Sequence, residues 1–357
     1  MSPVRPLIAI VTPVYNGGKF LAGAMEAVQA QTYRPLIHVV LDNSSTDDTA
    51  AIIARFQNRD VPIVTKRNGE LLPAPANWSE AVRMVPAEAG YFKILCADDG
   101  MTPNAIEKLV KTAQAADDVR VVGAPERLNG VTRSAHIPSS SDVFEASNML
   151  ARIFADSAGI PYHHLMYRID TQDNEPFFRS GAVSFDAEAA FRVLSRGGRV
   201  GWVHEPLFDT LAHGASLTST WTNKVSSEHW EHLTRIEVYG PGALSSAEYR
   251  RILRGQLLRV YRRLLWRFIG GRVEVARRDL ELLRGRNHRP SLLDYVMSIL
   301  TWPWHYYYRR VIWPKPPAEW PAIAAKPTDG FQATAAAQTP TPRAGRPSGL
   351  GVAANIS

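Results

Sequence analysis

Three short apolar runs near the start of the chain, alternating with stretches of helical spacing, restrict the folds open to it more than any other feature. Pro6 to Pro13 (PLIAIVTP) reads as a buried strand whose ladder Pro13 stops. Val14-Tyr-Asn-Gly-Gly18 is a turn, and apolar residues then recur at helical spacing from Phe20 to Gln31. Leu36 to Leu41 is a second strand ending at Asp42. The cluster Asn43-Ser-Ser-Thr-Asp-Asp48 starts a helix through Phe56, and Val61 to Thr65 is a shorter third strand. The order is βαβαβ. Right-handed crossovers carry the three strand ends to one edge, where open α/β sheets bind ligands.

The next apolar run, Tyr91-Phe-Lys-Ile-Leu-Cys-Ala-Asp-Asp-Gly100, ends abruptly in two adjacent carboxylates. Neither can neutralise the other, so the pair calls for a cation. Oxygen ligands suit Mg²⁺ or Mn²⁺, which share their shell with a substrate phosphate. Asp98 and Asp99 are therefore candidates for a metal clamp on a diphosphate, while Asp-Asp-Gly is also an ordinary turn. Cys96 as a nucleophile is the poorer reading, because a free cysteine at a strand end is usually a small hydrophobe. Beyond this tip the pattern predicts a helix from Ala105 to Ala115, a strand from Val119 to Val122, a polar excursion from Glu126 to Ser141 and a helix from Val143 to Phe154.

The chain has 357 residues, 45% hydrophobic and 21% charged, as expected of a globular protein with a real core. Its lone cysteine, Cys96, excludes an internal disulfide and fits a reducing compartment. The first apolar run is short and flows into Pro13, unlike a secretory leader, so a cytoplasmic location is expected. Net charge is +7, but Lys224 to Lys315 carries 18 Lys and Arg against 8 Asp and Glu, or +10. The basic character belongs to that region and implies an acidic surface that it meets.

Thr12-Pro-Val-Tyr-Asn16, Gln31-Thr-Tyr33 and Leu41-Asp-Asn-Ser-Ser-Thr-Asp-Asp48, in that order, resemble the amino-terminal half of family 2 glycosyltransferases with a GT-A fold. The resemblance implies a nucleotide-diphospho-sugar donor, with Thr12, Pro13 and Tyr15 beside the base and Asp42 accepting its N–H. Read alone, Asp42 could equally cap the next helix. Asn68-Gly69 through Asn77-Trp78 is similar to the family loop before the next helix, expected here from Ser79 to Val85, and makes Asn68 a donor-binding candidate. Many members carry Arg before that second asparagine; this chain has Ala76. The family's Asp-x-Asp becomes Cys96-Ala-Asp98, which keeps Asp98 and Asp99 as metal ligands, Asp98 also on the donor.

Gly181 to Gly197 resembles the family's Glu-Asp helix, with Asp186 at the aspartate, Phe185 replacing the acidic residue before it and Arg192 in place. This implies Asp186 as the general base that takes the acceptor's proton, with Phe185 drying the site and raising the carboxylate pKa. Glu188 is the rival base, and a plain helix cap is the alternative for Asp186. Leu211-Ala-His213 resembles the closing Arg-x-His motif, with Leu211 for arginine, and implies His213 as a third metal ligand. His163 and His164, being adjacent, should face apart and not bind one metal together.

The likeness covers about residues 6–218. From Tyr249 to Phe268 apolar residues at helical spacing alternate with arginines, and Leu292 to Trp313 gathers Trp302, Trp304, Tyr306, Tyr307, Tyr308 and Trp313 near Arg309 and Arg310. Two readings stand: helices packed on the catalytic domain with a solvated basic face, or a peripheral contact with an anionic membrane, which places the chain on the inner face of the cytoplasmic membrane. No nucleic-acid motif accompanies the charge.

The expected organisation is α/β: a GT-A domain at 1–222 built on a mostly parallel sheet flanked by helices, a basic aromatic-rich helical region at 223–315, and a disordered tail at 316–357 rich in Pro, Ala, Thr and Gly. The expected activity is metal-assisted, inverting transfer of a sugar, from a UDP-sugar, to a hydroxyl of a glycan or glycolipid acceptor in surface polysaccharide or lipopolysaccharide assembly. Cys96, Phe185 and Leu211 also fit a non-catalytic nucleotide-sugar-binding or scaffold subunit. A dinucleotide-dependent dehydrogenase is a distant third reading, since no G-x-G-x-x-G follows the first strand.

Overall fold

The computed structural model describes residues 5–133, 136–155, 159–173, 175–181, 184–212 and 228–307. The strands β1 (Leu7–Val14), β2 (Leu36–Asp42), β3 (Ile63–Arg67) and β4 (Ala89–Ile94) run parallel in the order β3-β2-β1-β4. Helices α1 (Leu21–Gln29), α2 (Thr49–Phe56) and α3 (Ala74–Arg83) connect them. Successive residues of β1 serve opposite cores: Ala9 and Val11 pack with Trp78 and Val82 of α3, Ile8 and Ile10 with Ala24 and Val28 of α1. A sheet covered on both faces needs apolar residues at every position, which is why these strands read as unbroken runs.

Pro13 does not stop the ladder. β1 continues to Val14, and Pro13 pairs in register with Leu41. Pairing with β4 has already ended at Val11, whose carbonyl accepts from Leu95. Main-chain groups alternate between the two sides of a strand, so the N–H that Pro13 lacks falls on the vacated side. The loop after β1 is fixed by side chains of the next βα turn: Asn16 N–H donates to Ser45 Oγ (2.9 Å), Gly17 N–H to Thr49 Oγ1 (2.8 Å) and Gly18 N–H to Asp47 Oδ2 (2.7 Å). A Cβ on Gly17 would stand 2.4 Å from Val14 Cγ2, so this close approach requires glycine.

After β5 (Gly100–Met101) and α4 (Ala105–Ala113), the sheet extends through β6 (Val119–Gly123). The stretch expected as a polar excursion contains a hairpin, β7 (Glu126–Leu128) and β8 (Val131–Arg133). The helix expected from Val143 begins at Ala146 instead: Val143–Glu145 is β9, paired antiparallel with β11 (Arg199–Trp202), and α5 (Ala146–Phe154) follows. Between β4 and β6 lies β10 (Met166–Arg168), antiparallel to both. The order is β3-β2-β1-β4-β10-β6-β11-β9, and a second sheet of order β5-β12-β7-β8 uses β12 (Phe208–Thr210). α3 begins at Ala74 rather than Ser79, so Asn77 and Trp78 lie in a helix and not in the loop before it.

α6 (Phe185–Leu194) precedes β11 and β12, and after residue 212 the described chain resumes in α7 (Glu228–Ala243), α8 (Ser246–Ile269), α9 (Val273–Gly285), α10 (Leu292–Leu300) and α11 (Trp302–Tyr307). The expected boundary at 222 falls outside the described residues, as do Tyr308 to Lys315 and the tail at 316–357. Ile236 and Ala243 of α7 and Ile252 of α8 enter the core beneath α5 and α6. Leu233, Val260, Tyr261, Leu264, Ala276 and Leu283 form a separate core that joins α7, α8 and α9. The arginines here are not all solvated: Arg267 pairs with Asp279, and Arg286 with Glu237 (2.8 Å). No helix among the described residues is long and apolar enough to cross a membrane.

Candidate active site

The carboxyl ends of the parallel strands bring together Val14, Asp42, Arg67 and the tip after Ile94. Asp42, 2% exposed, accepts from Ser45 N–H through Oδ1 (2.9 Å) and from Arg67 Nη1 through Oδ2 (2.9 Å). A carboxylate offers about four acceptor positions, so both oxygens retain capacity. Arg67 lies beyond the strand end expected at Thr65 and was not singled out from sequence; half exposed, it supplies a cation where Ala76 offers none. Tyr15 is 46% exposed at the same edge. Thr12 is fully buried, with its hydroxyl 2.9 Å from His38 Nε2, so its side chain serves the sheet and does not face the edge. Asn68 donates to Asn43 Oδ1 (2.9 Å) and Asn77 Oδ1 (3.0 Å), holding the β3 loop against α3.

β4 ends at Ile94, and the chain turns through Cys96 to Asp99, with Asp99 N–H donating to the Cys96 carbonyl (3.1 Å). Asp99 is 5% exposed, and burial, aided by the charges of Asp98 and Glu126 and opposed by Lys93 and a hydrogen bond to Cys96, pushes its carboxyl up to about 7. Burial likewise pushes the Cys96 thiol up, which removes the thiolate that a nucleophile needs. Lys93 is fully buried beneath the tip. Its ammonium donates to the Ile94 carbonyl (2.7 Å), sits 4.2 Å over the Phe208 ring and is brought down to about 7 by burial.

His163 and His164 do not face apart. They lie on a single 3₁₀ turn, Tyr162–His164, with ring centroids 4.0 Å apart. Because β10 is antiparallel, the residues just before it meet those just after β4. His163 Nε2 and His164 Nε2 stand 4.0 and 3.9 Å from Asp99 Oδ2, and 3.5 and 3.6 Å from Glu126 Oε2. Desolvation keeps both rings neutral, with His163 lowered to about 3 and His164 well below the usual histidine range. Within each of two sets the ligand atoms lie within 4.8 Å of one another: Cys96/Asp98/Asp99, with sulfur and oxygen donors, and Asp99/His163/His164, whose oxygen and nitrogen donors suit a divalent ion. His213 lies outside the described residues.

Asp186 occupies the first turn of α6, and burial raises its pKa against the Ala187 N–H and the charge of Arg235. Phe185 beside it packs edge-on against Trp78 (5.0 Å) and Phe178 (5.8 Å). Glu188 is tied through one oxygen only: Tyr239 donates to its Oε1 (3.0 Å) and Arg192 Nε lies 3.5 Å from the same atom, while Oε2 is buried with no hydrogen-bond partner among the described residues. Tyr162 packs on α6, its ring 5.8 Å from that of Phe191. Its burial raises the phenol pKa, Arg235 opposes this and the charge of Asp186 adds to it, while the next two residues of its turn approach Asp99.

Residues 9–173 match the family model described as glycosyl transferase family 2. The glycosyltransferase GlyG of Streptococcus pneumoniae serotype 4 is 31% identical over 119 residues, which cover 33% of this chain and 38% of that protein, so the chain spans well under half of that relative. The crystal structure of S. aureus TarS 1-349 in complex with UDP-GlcNAc is similar with a TM-score of 0.57 at 16% identity, covering 71% of this chain and 72% of that one. A mannosyltransferase, PcManGT from Pyrobaculum calidifontis, in complex with GDP-Man and Mn²⁺, gives 0.54 at 14% identity, covering 87% and 83%. These two likenesses are of fold, and the fold is the expected GT-A type. Residues 9–173, just under half of the chain, carry the motifs at the strand ends and match glycosyl transferase family 2.

Proposed function

We propose that the chain transfers a sugar from a nucleotide-diphospho-sugar, a UDP-sugar, to an acceptor hydroxyl with inversion at the anomeric carbon. The observation that carries this reading is the grouping of a buried carboxylate (Asp42), a half-exposed cation (Arg67) and an acidic tip (Asp98, Asp99) along one sheet edge, with a base candidate, Asp186, on α6, where Tyr162 packs. Asp42 accepts the imide N–H of the base, and a base without that donor leaves a buried acceptor unpaired. Tyr15 offers an exposed ring beside it. Asp98 and Asp99 would hold Mg²⁺ or Mn²⁺, which when bound neutralises the diphosphate leaving group; two named relatives were solved with UDP-GlcNAc and with GDP-Man and Mn²⁺.

Asp186 takes the proton of the acceptor hydroxyl onto its carboxylate as that oxygen attacks, and the raised pKa brings the carboxyl nearer working pH. Phe185, Trp78 and Phe178 form an apolar wall beside it that limits water at the reacting centre. The acceptor we assign is a membrane-borne glycan or glycolipid, as in surface polysaccharide or lipopolysaccharide assembly, reached from an anionic membrane surface on which α8 to α11 lie. Supporting this contact, Leu292, Leu293, Val296, Ile299 and Leu300 are exposed along one face of α10, Trp302 and Trp304 are exposed just beyond it, and Arg250, Arg251 and Arg254 are exposed on α8. The deciding test is release of free nucleotide from a panel of nucleotide-diphospho-sugars in Mn²⁺ or Mg²⁺ with a mixed-alcohol acceptor. Release from a UDP-sugar supports transfer; donor binding without release from any donor makes the chain a binding or scaffold subunit.

A further inference from the structure

The side chains that gather behind the acidic tip differ from those that line it. Asp99 Oδ2, His163 Nε2 and His164 Nε2 converge from two elements, the turn after β4 and the 3₁₀ turn before β10, with His to Asp separations of 4.0 and 3.9 Å. Ligand atoms around a four-coordinate ion with bonds near 2.1 Å stand about 3.4 Å apart, so each imidazole has to move about half an ångström toward Asp99 to close the set. Asp99 and His164 are almost fully buried, and the His164 ring is fixed by stacking on Phe208 at 4.4 Å. Thr210 shares the pocket: its hydroxyl donates to Glu126 Oε2 (2.6 Å) and lies 2.8 Å from His164 Nε2. His164 Nδ1 is buried with no hydrogen-bond partner, so the ring has no second group tying its protons to one arrangement.

We propose that Asp99, His163 and His164 form a divalent-metal site built entirely from protein side chains, selective for an imidazole-binding first-row ion of the Mn²⁺, Co²⁺ or Zn²⁺ class over Mg²⁺. Two imidazoles and one carboxylate make the ligand set: imidazole binds such ions well, whereas Mg²⁺ prefers oxygen ligands and retains its waters. The site shares Asp99 with the tip assigned above to the diphosphate but does not need the nucleotide, since every ligand is supplied by the chain. Glu126 Oε2 stands 3.5 and 3.6 Å from the same two nitrogens, so it faces the ion as a further oxygen donor rather than supporting the rings from behind.

The test uses the full chain stripped with a chelator and titrated with Co²⁺, read by its visible absorption, and by calorimetry with Zn²⁺, Mn²⁺ and Mg²⁺, all without nucleotide. One Co²⁺ should bind per chain and resist a large excess of Mg²⁺. His163→Ala and His164→Ala should each weaken Co²⁺ binding by about tenfold or more, with circular dichroism confirming that the variants are folded. Should His164→Ala fail to fold, His163→Ala alone decides, because its side chain is partly exposed. Co²⁺ bound no more tightly than Mg²⁺, or bound by folded His163→Ala as by the parent, overturns the site. UDP-sugar binding measured in parallel separates the two readings: a parent that binds donor but no Co²⁺ loses only this site, and one that binds Co²⁺ but no nucleotide loses only the transfer function.

Discussion

In the proposed transfer, Asp186 is the residue on which the chemistry turns. Its burial disfavours the charged form, so the carboxyl must be deprotonated at a pH above the ordinary carboxylate range before it can accept a proton. The rate should therefore fall on the acid side at a pH higher than an exposed aspartate would give, as a pH profile of kcat will show. Asp186→Asn keeps the shape and removes the base; kcat should drop about 10²- to 10⁴-fold, while the Kd for a UDP-sugar, measured by calorimetry, stays near that of the parent. Undiminished turnover in that variant would remove the assignment. Asp98 and Asp99 stand out in the sequence because they sit where an apolar run stops, whereas Asp42 and Asp186 are singled out only by the resemblance. Arg67, Lys93 and the histidine pair were not legible there. Arg67 follows a longer strand than composition suggested, Lys93 is hidden inside an apolar run, and His163 and His164 meet Asp99 only because a reversed strand is inserted beside β4, which no local pattern encodes.

At the scale of elements, the proposed base is held in place by a helix from beyond the family match. Glu231 of α7 accepts from Ser184 N–H (3.2 Å), Arg235 pairs with Glu231 (2.8 Å) and lies 3.4 Å from the Ser184 carbonyl, and Tyr239 engages Glu188. Together they clamp the start of α6. The Arg235 charge lowers the pKa of Asp186, so Arg235→Ala should raise it further and move the acid limb of kcat to higher pH; a limb that stays put or moves to lower pH would contradict the clamp. Phe185 works on the other side of the same helix end. Phe185→Ala leaves Trp78 and Phe178 facing a cavity and should cost about 3–5 kcal/mol of stability, read as a lowered Tm in thermal unfolding. The βαβαβ start was legible because its periods are regular and its turns rich in Gly, Pro and Asn. β9 was not, since three residues leading directly into a helix carry too little alternation to separate strand from helix.

Across the whole molecule, charge and apolar exposure divide unevenly. The sheet is covered on both faces, whereas α8, α10 and α11 leave Trp266, Ile269, Leu292, Leu300, Trp302 and Trp304 exposed, with the Trp266 and Trp302 rings 6.2 Å apart. Basic side chains near an anionic surface contribute about 1 kcal/mol each at low salt. The chain should therefore float with anionic vesicles at low ionic strength, release at high salt, and bind more weakly as Leu292→Asp or Trp304→Asp; no association at low salt would leave this face a solvated one. The central claim concerns the strand-end site and is tested most directly by a crystal soaked with Mn²⁺ and UDP. The uracil should lie beside Tyr15 with its N–H on Asp42, and the diphosphate should reach a Mn²⁺ held by Asp98 and Asp99. Nucleotide bound away from the strand ends, or Asp98 and Asp99 turned away from the ion and the diphosphate, would contradict it.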